Sequence, residues 1–108
     1  MAVSEVSDST FKDKVINQNE KLVLVDFWAE WCGPCRMLAP VVESISNKFS
    51  DQLDVYKLDT DANAQTAQDY KITGIPCVIL FKNGEEVTRL TGYRSEATFE
   101  TELEQHLK

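Results

Sequence analysis

Residues 21–49 read KLVLVDFWAEWCGPCRMLAPVVESISNKF. In Lys21–Ala29 the apolar side chains do not alternate with polar ones, and Asp26 is the interruption. A strand whose two faces are both apolar must be covered on both sides. From Pro34 to Phe49 the period changes: Leu38, Val41, Val42, Ile45 and Phe49 fall on one face of a helix. Pro34 suits the first helical position. Pro40 lies inside the helix and predicts a kink, because its nitrogen donates no hydrogen bond. A doubly covered strand running straight into an amphipathic helix is the unit of an α/β fold.

The flanking sequence repeats the unit. Ala2–Val6 reads as a short edge strand. Ser7-Asp8-Ser9-Thr10 offers helix caps ahead of the stripe Phe11, Val15, Ile16. Leu53–Asp59 is a second long strand, and Asp61–Tyr70 a weak helix. Cys77–Lys82 and Glu86–Thr91 are strands joined by the hairpin signal Asn83-Gly84. Ser95 can cap a last helix with Phe99, Leu103 and Leu107 on its stripe. The expected order is β-α-β-α-β-α-β-β-α: a central mixed five-stranded sheet flanked by four helices. Strands separated by helices are expected to pair in parallel and the final hairpin in antiparallel fashion.

The chain has 108 residues, and residues 1–108 are expected to form one domain. At that length folding hides roughly 65% of the unfolded chain's surface, enough for a single core. Eleven Lys and Arg face eighteen Asp and Glu, a net charge of −7. Such a chain is repelled by nucleic acids and anionic membranes, so neither is an expected partner. No apolar run approaches a membrane span. The opening MAVSEVSDST has neither the basic region nor the apolar block of a secretory signal, so none is expected.

Three cysteines are too few, and odd in number, for a disulfide scaffold. Two of them form Cys32-Gly33-Pro34-Cys35. Cys32 falls at a helix N-terminus, where unpaired N–H groups and the helix dipole favour a thiolate. Cys35 is three residues on, with its Cβ about 5–6 Å away, which a small adjustment brings within disulfide geometry. A structural staple is the first rival, but so short a loop gives only roughly 2 kcal/mol. A Cys₃His zinc site from Cys32, Cys35, Cys77 and His106 is the second, though Cys77 and His106 are isolated in the sequence where such a site shows a local pair. Haem attachment fails because position 36 is Arg. Asp26 in its apolar strand is a costly carboxylate whose pKa burial raises. A plain ion pair with Lys57 on the second long strand is the competing reading.

Trp31-Cys32-Gly33-Pro34-Cys35 resembles the active-site motif of the thioredoxin family. The similarity covers essentially the whole chain, with DFWA at 26–29, Ile75-Pro76, FKNG at 81–84 and Gly92. The resemblance implies the thioredoxin fold and a thiol–disulfide oxidoreductase, a small electron carrier that reduces disulfides of target proteins. In that scheme Cys32 is the attacking nucleophile and Cys35 resolves the mixed disulfide, leaving a Cys32–Cys35 disulfide. Asp26 then serves as proton acceptor for Cys35, and Lys57 tunes it. The Ile75–Pro76 bond is expected to be cis. Trp31, Gly33, Pro34, Gly74, Ile75, Pro76 and Gly92 form the substrate-docking patch.

The resemblance further implies that a thioredoxin reductase recharges the protein, and no bound cofactor or metal is expected. The chain is expected to act as a monomer in the cytoplasm, with an organelle stroma as the alternative. The Gly-Pro dipeptide resembles that of the reducing members. An oxidant or isomerase of the same fold, and a non-redox binding module, remain the alternative functions. Cys77 departs from the family pattern, which commonly has Thr there. It is either inert strand packing or a third reactive thiol.

Overall fold

The computed structural model describes residues 3–107. The expected order of elements is found, over shorter spans in places. The strands are β1 (Val3–Glu5), β2 (Leu22–Trp28), β3 (Leu53–Asp59), β4 (Cys77–Lys82) and β5 (Glu85–Thr91). The helices are α1 (Gly33–Lys48), α2 (Ala64–Asp69) and α3 (Glu96–His106). Ala2, expected to start the first strand, lies outside the described residues. The first expected helix is a short π-helical stretch, Lys12–Ile16, closed by Asn17 N–H donating to the Lys12 carbonyl at 2.9 Å. The caps expected at 7–10 are used differently. Asp8 leaves that helix and accepts from both the N–H and the hydroxyl of Thr66 in α2, at 2.9 and 2.6 Å.

The sheet order is β1-β3-β2-β4-β5. β2 lies in the centre and is buried from Leu22 to Phe27, as its unbroken apolar run requires. Period-two alternation divides its side chains between two cores. Leu22 and Leu24 face α1 and α3, packing on Leu38, Val42, Ile45, Phe99 and Leu103. Val23, Val25 and Phe27 face the other side, with Phe11, Val15, Leu58, Ile79 and Phe81, and with Tyr70 just beyond α2. Helices thus cover both faces, and α1 continues through Pro40 to Lys48.

One pairing corrects the sequence expectation. β4 follows a helix, yet it pairs antiparallel with β2, Phe27 opposite Cys77 and Val23 opposite Phe81. A helix between two strands permits a parallel return without requiring one, because direction is set by the end of the sheet at which the chain re-enters. After β3 the connection through the short α2 stays at the end where β2 and β3 finish and re-enters there, Cys77 opposite Phe27. That reversal brings the Ile75–Pro76 segment to the C-terminal end of β2, beside the cysteine pair.

Candidate active site

β2 ends at Trp28, and a turn closed by Cys32 N–H donating to the Ala29 carbonyl (3.1 Å) leads to the helix. Cys32 is the N-cap of α1, in an extended conformation. Gly33 is therefore the first helical residue and Pro34 the second, one position later than the sequence suggests. The N–H of Cys35 points at Cys32 Sγ, 3.2 Å away. That amide is an unpaired donor of the first turn, spent on sulfur. It stabilises a thiolate there, together with the helix dipole, and no acidic side chain in the first turn opposes it. The two cysteines are joined as a disulfide with Cα atoms 5.2 Å apart. Both are largely covered, Cys32 at 5% and Cys35 at 3% exposure. Exposure hardly separates them, so acidity must.

The covering groups define the rim. The Ile75 carbonyl oxygen is 3.7 Å from Cys32 Sγ, and the Ile75–Pro76 peptide is cis. Gly92 N–H donates to the Pro76 carbonyl at 2.7 Å, holding the end of β5 against this segment. Gly92 has φ +88°, where a side chain would be strained. The space a Cβ would take is open at Gly33 and Gly92, and at Gly74 it meets only the Thr91 methyl, at 3.4 Å. Trp31 is 69% exposed, yet its Nε1–H donates to Asp61 Oδ2 at 2.9 Å. Asp61 was not singled out in the sequence. The signal for it is topological: Trp28 pairs with Asp59 in parallel register, so the residues just after both strands lie at one end of the sheet.

Asp26 sits on the α1 side of β2, opposite Lys57 of β3. It is buried, and its Oδ1 has no hydrogen-bond partner. Burial pushes its pKa up to about 7, while the charge of Lys57 pulls the other way. Lys57 Nζ also stands 5.2 Å from the centre of the Trp28 ring, a cation–π contact. A cavity of about 90 Å³ is lined by Asp26, Trp28, Cys35, Arg36, Ala39 and Lys57. Asp26 and Cys35 thus line one partly open cavity. It is large enough for water to bridge them.

Cys77 and His106 are not brought to this site. Cys77 opens β4 on the opposite face, in the core with Phe27, Ile79 and Phe81. It is 1% exposed, the Thr91 hydroxyl is 3.8 Å from its sulfur, and burial pushes the thiol pKa up. His106 lines a surface hollow with Leu22 and Gln52, at the end of the sheet away from Cys32. The four residues of the zinc alternative are therefore dispersed. Among the described residues, no cluster of three or more His, Cys, Asp or Glu could hold a metal. No described helix is long and apolar enough to cross a membrane.

The thioredoxin family profile matches residues 2–105. The thioredoxin of Porphyra purpurea is 45% identical over 107 residues, 99% of each chain. That of Synechocystis sp. is 46% identical over 106 residues, 98% of each. The thioredoxin of Mycobacterium tuberculosis is 46% identical over 102 residues, covering 94% of this chain and 87% of its own. Members of this family are protein-disulfide reductases that work without a bound cofactor, between disulfide-bearing targets and a reductase. With the Cys32–Cys35 pair at disulfide distance in the matching motif, the chain belongs to the thioredoxin family and is a thiol–disulfide oxidoreductase.

Proposed function

We propose that the chain reduces target disulfides by a two-step exchange in which each residue of the site has a separate task. In the dithiol form, Cys32 Sγ is the thiolate, held by the Cys35 amide and the start of α1. It attacks one sulfur of the target disulfide. A Cys32–target S–S bond forms, the target S–S bond breaks, and the leaving sulfur departs as a thiolate that takes up a proton. Cys35 then loses its proton to Asp26, through water in the shared cavity, and attacks Cys32 Sγ. The mixed disulfide breaks, the Cys32–Cys35 bond forms, and the target's second sulfur leaves. Two electrons have passed to the target, and a thioredoxin reductase returns them to the protein.

Asp26 suits this task because its pKa of about 7 lets it change protonation near neutral pH. Lys57 keeps that value from rising further. Trp31, Gly33, Pro34, Gly74, Ile75, Pro76 and Gly92 form the docking patch. The small residues allow another backbone to approach Cys32, and Ile75 offers an edge to an extended segment. Cys77 is a packing residue. The protein acts as a monomer, in the cytoplasm or a stroma, where a reducing environment keeps the pair cycling.

The observation that carries this reading is Cys32 Sγ at the helix cap, receiving the Cys35 N–H at 3.2 Å. Trapping tests it. A Cys35→Ser variant is expected to accumulate target proteins as mixed disulfides on Cys32, identified by mass spectrometry. Cys32→Ser is expected to capture none and to lose insulin reduction. Capture through Cys35 or Cys77 would contradict it.

A further inference from the structure

We propose that Arg94 determines target specificity, selecting disulfides flanked by a carboxylate. The inference deepens the proposed docking reading and rests on Gly74, Ile75 and Gly92 being the docking edge. A short relay of contacts places the cation there. The Ile75 carbonyl is 3.7 Å from Cys32 Sγ, and Gly92 N–H is bonded to the next carbonyl, that of Pro76. Two residues on, Arg94 turns back, and its Nη2–H donates to the Thr91 carbonyl at 3.2 Å. The Thr91 methyl faces Gly74.

A surface arginine ordinarily gains little from a partner because ordering its long side chain costs entropy. Here one donor is already spent on the backbone, and the residue is exposed. Arg89 is occupied by Glu86, and Lys48 by Glu96 and Glu100; Arg36, beside Cys35, is turned to the Glu30 carbonyl at 2.8 Å, on the other side of the pair from Gly92. Arg94 has no such carboxylate among the described residues. The opposite side of the mouth is acidic, since Trp31 is held by Asp61 and Asp61 by Asp59. In a chain of net charge −7, Arg94 is thus a local positive point at the rim, and it orients a segment with its acidic end toward Gly92. A bidentate carboxylate is the chemistry that a preset guanidinium recognises.

The test uses two cyclic disulfide peptides, identical except for two Asp or two Lys beside the cysteines. The ratio of their second-order reduction rates, Asp peptide over Lys peptide, is measured at low and high salt. Arg94→Glu is expected to lower the ratio about fivefold at low salt, with most of the change lost at about 0.5 M salt. Arg94→Lys is expected to lower it by an intermediate amount, because the charge is kept and the bidentate fork is lost. Lys82→Glu, the charge change of Arg94→Glu placed at the far end of β4, is expected to lower it less than about twofold. Equal shifts for Arg94→Glu and Lys82→Glu, or no shift for Arg94→Glu, would overturn the inference. Reduction that persists in Cys32→Ser would instead overturn the proposed exchange through Cys32.

Discussion

Replacing Asp26 by Asn should stabilise the protein, and by an amount that depends on pH. The carboxyl is buried without a partner for Oδ1, and its pKa rises from 3.8 to about 7. A rise of about three units corresponds to about 4 kcal/mol, taken as an upper figure. The sign follows from proton counts. Below about pH 4, Asp26 is protonated in both the folded and unfolded states and contributes nothing. Between about 4 and 7 the folded state keeps its proton and the unfolded state has lost it, so stability falls as pH rises. Above about 7 both are ionised and the full penalty stands. Asparagine has a similar size and no charge to desolvate. Urea unfolding of the oxidised protein, with equal m-values as a check on two-state behaviour, should show the Asp26→Asn variant gaining up to about 4 kcal/mol on wild type between pH 4 and pH 8.5. A difference constant across that range would refute the reasoning, because Asp26 would then ionise as a solvated carboxyl does.

Three further outcomes follow from particular contacts. Lys57→Met removes the charge that opposes desolvation of Asp26, so the Asp26 carboxyl titration, followed by NMR, should move above about 7; a fall would contradict the assignment. Gly84→Ala should cost about 1–3 kcal/mol in urea unfolding, because φ is +81° and the added Cβ runs into the Ile16 carbonyl. A neutral result would show that the turn relaxes freely. Cys77→Ser should leave peroxide sensitivity and reductase coupling unchanged and lower stability by about 1–3 kcal/mol, since the site is 1% exposed. A change in redox behaviour at unchanged stability would restore the reactive-thiol reading.

The sequence discloses those features that depend on short-range periodicity. β2 and α1 follow from the apolar runs of Lys21–Ala29 and Leu38–Phe49, and the cap at Cys32 from the junction between them. Strand directions are less local. The antiparallel entry of β4 depends on the end of the sheet to which the connection through α2 returns, and the weak pattern of Asp61–Tyr70 does not show that. Side-chain contacts between distant segments leave no periodic trace. The bonds from Asp8 to Thr66 and from Trp31 to Asp61 arise only once the sheet has aligned the loops. The same is true of Gly84. It reads as a turn glycine, yet it also lies against the Ile16 carbonyl. Cys77 is intermediate. Its neighbour Pro76 suggests proximity to the pair, but counting by twos along β4 with Ile79 and Phe81 assigns it to the opposite core.

Competitive alkylation of the fully reduced protein, read by peptide mass spectrometry across pH, tests the central assignment most directly. Cys32 and Cys35 are almost equally covered in the disulfide form, so a difference in rate reports acidity. Cys32 should be modified first near neutral pH, with its rate levelling off at a pKa below that of an ordinary thiol. Cys35 and Cys77 should lag until the medium is alkaline. First modification at Cys35, or equal slow rates at both, would show that the helix cap does not activate the sulfur it holds.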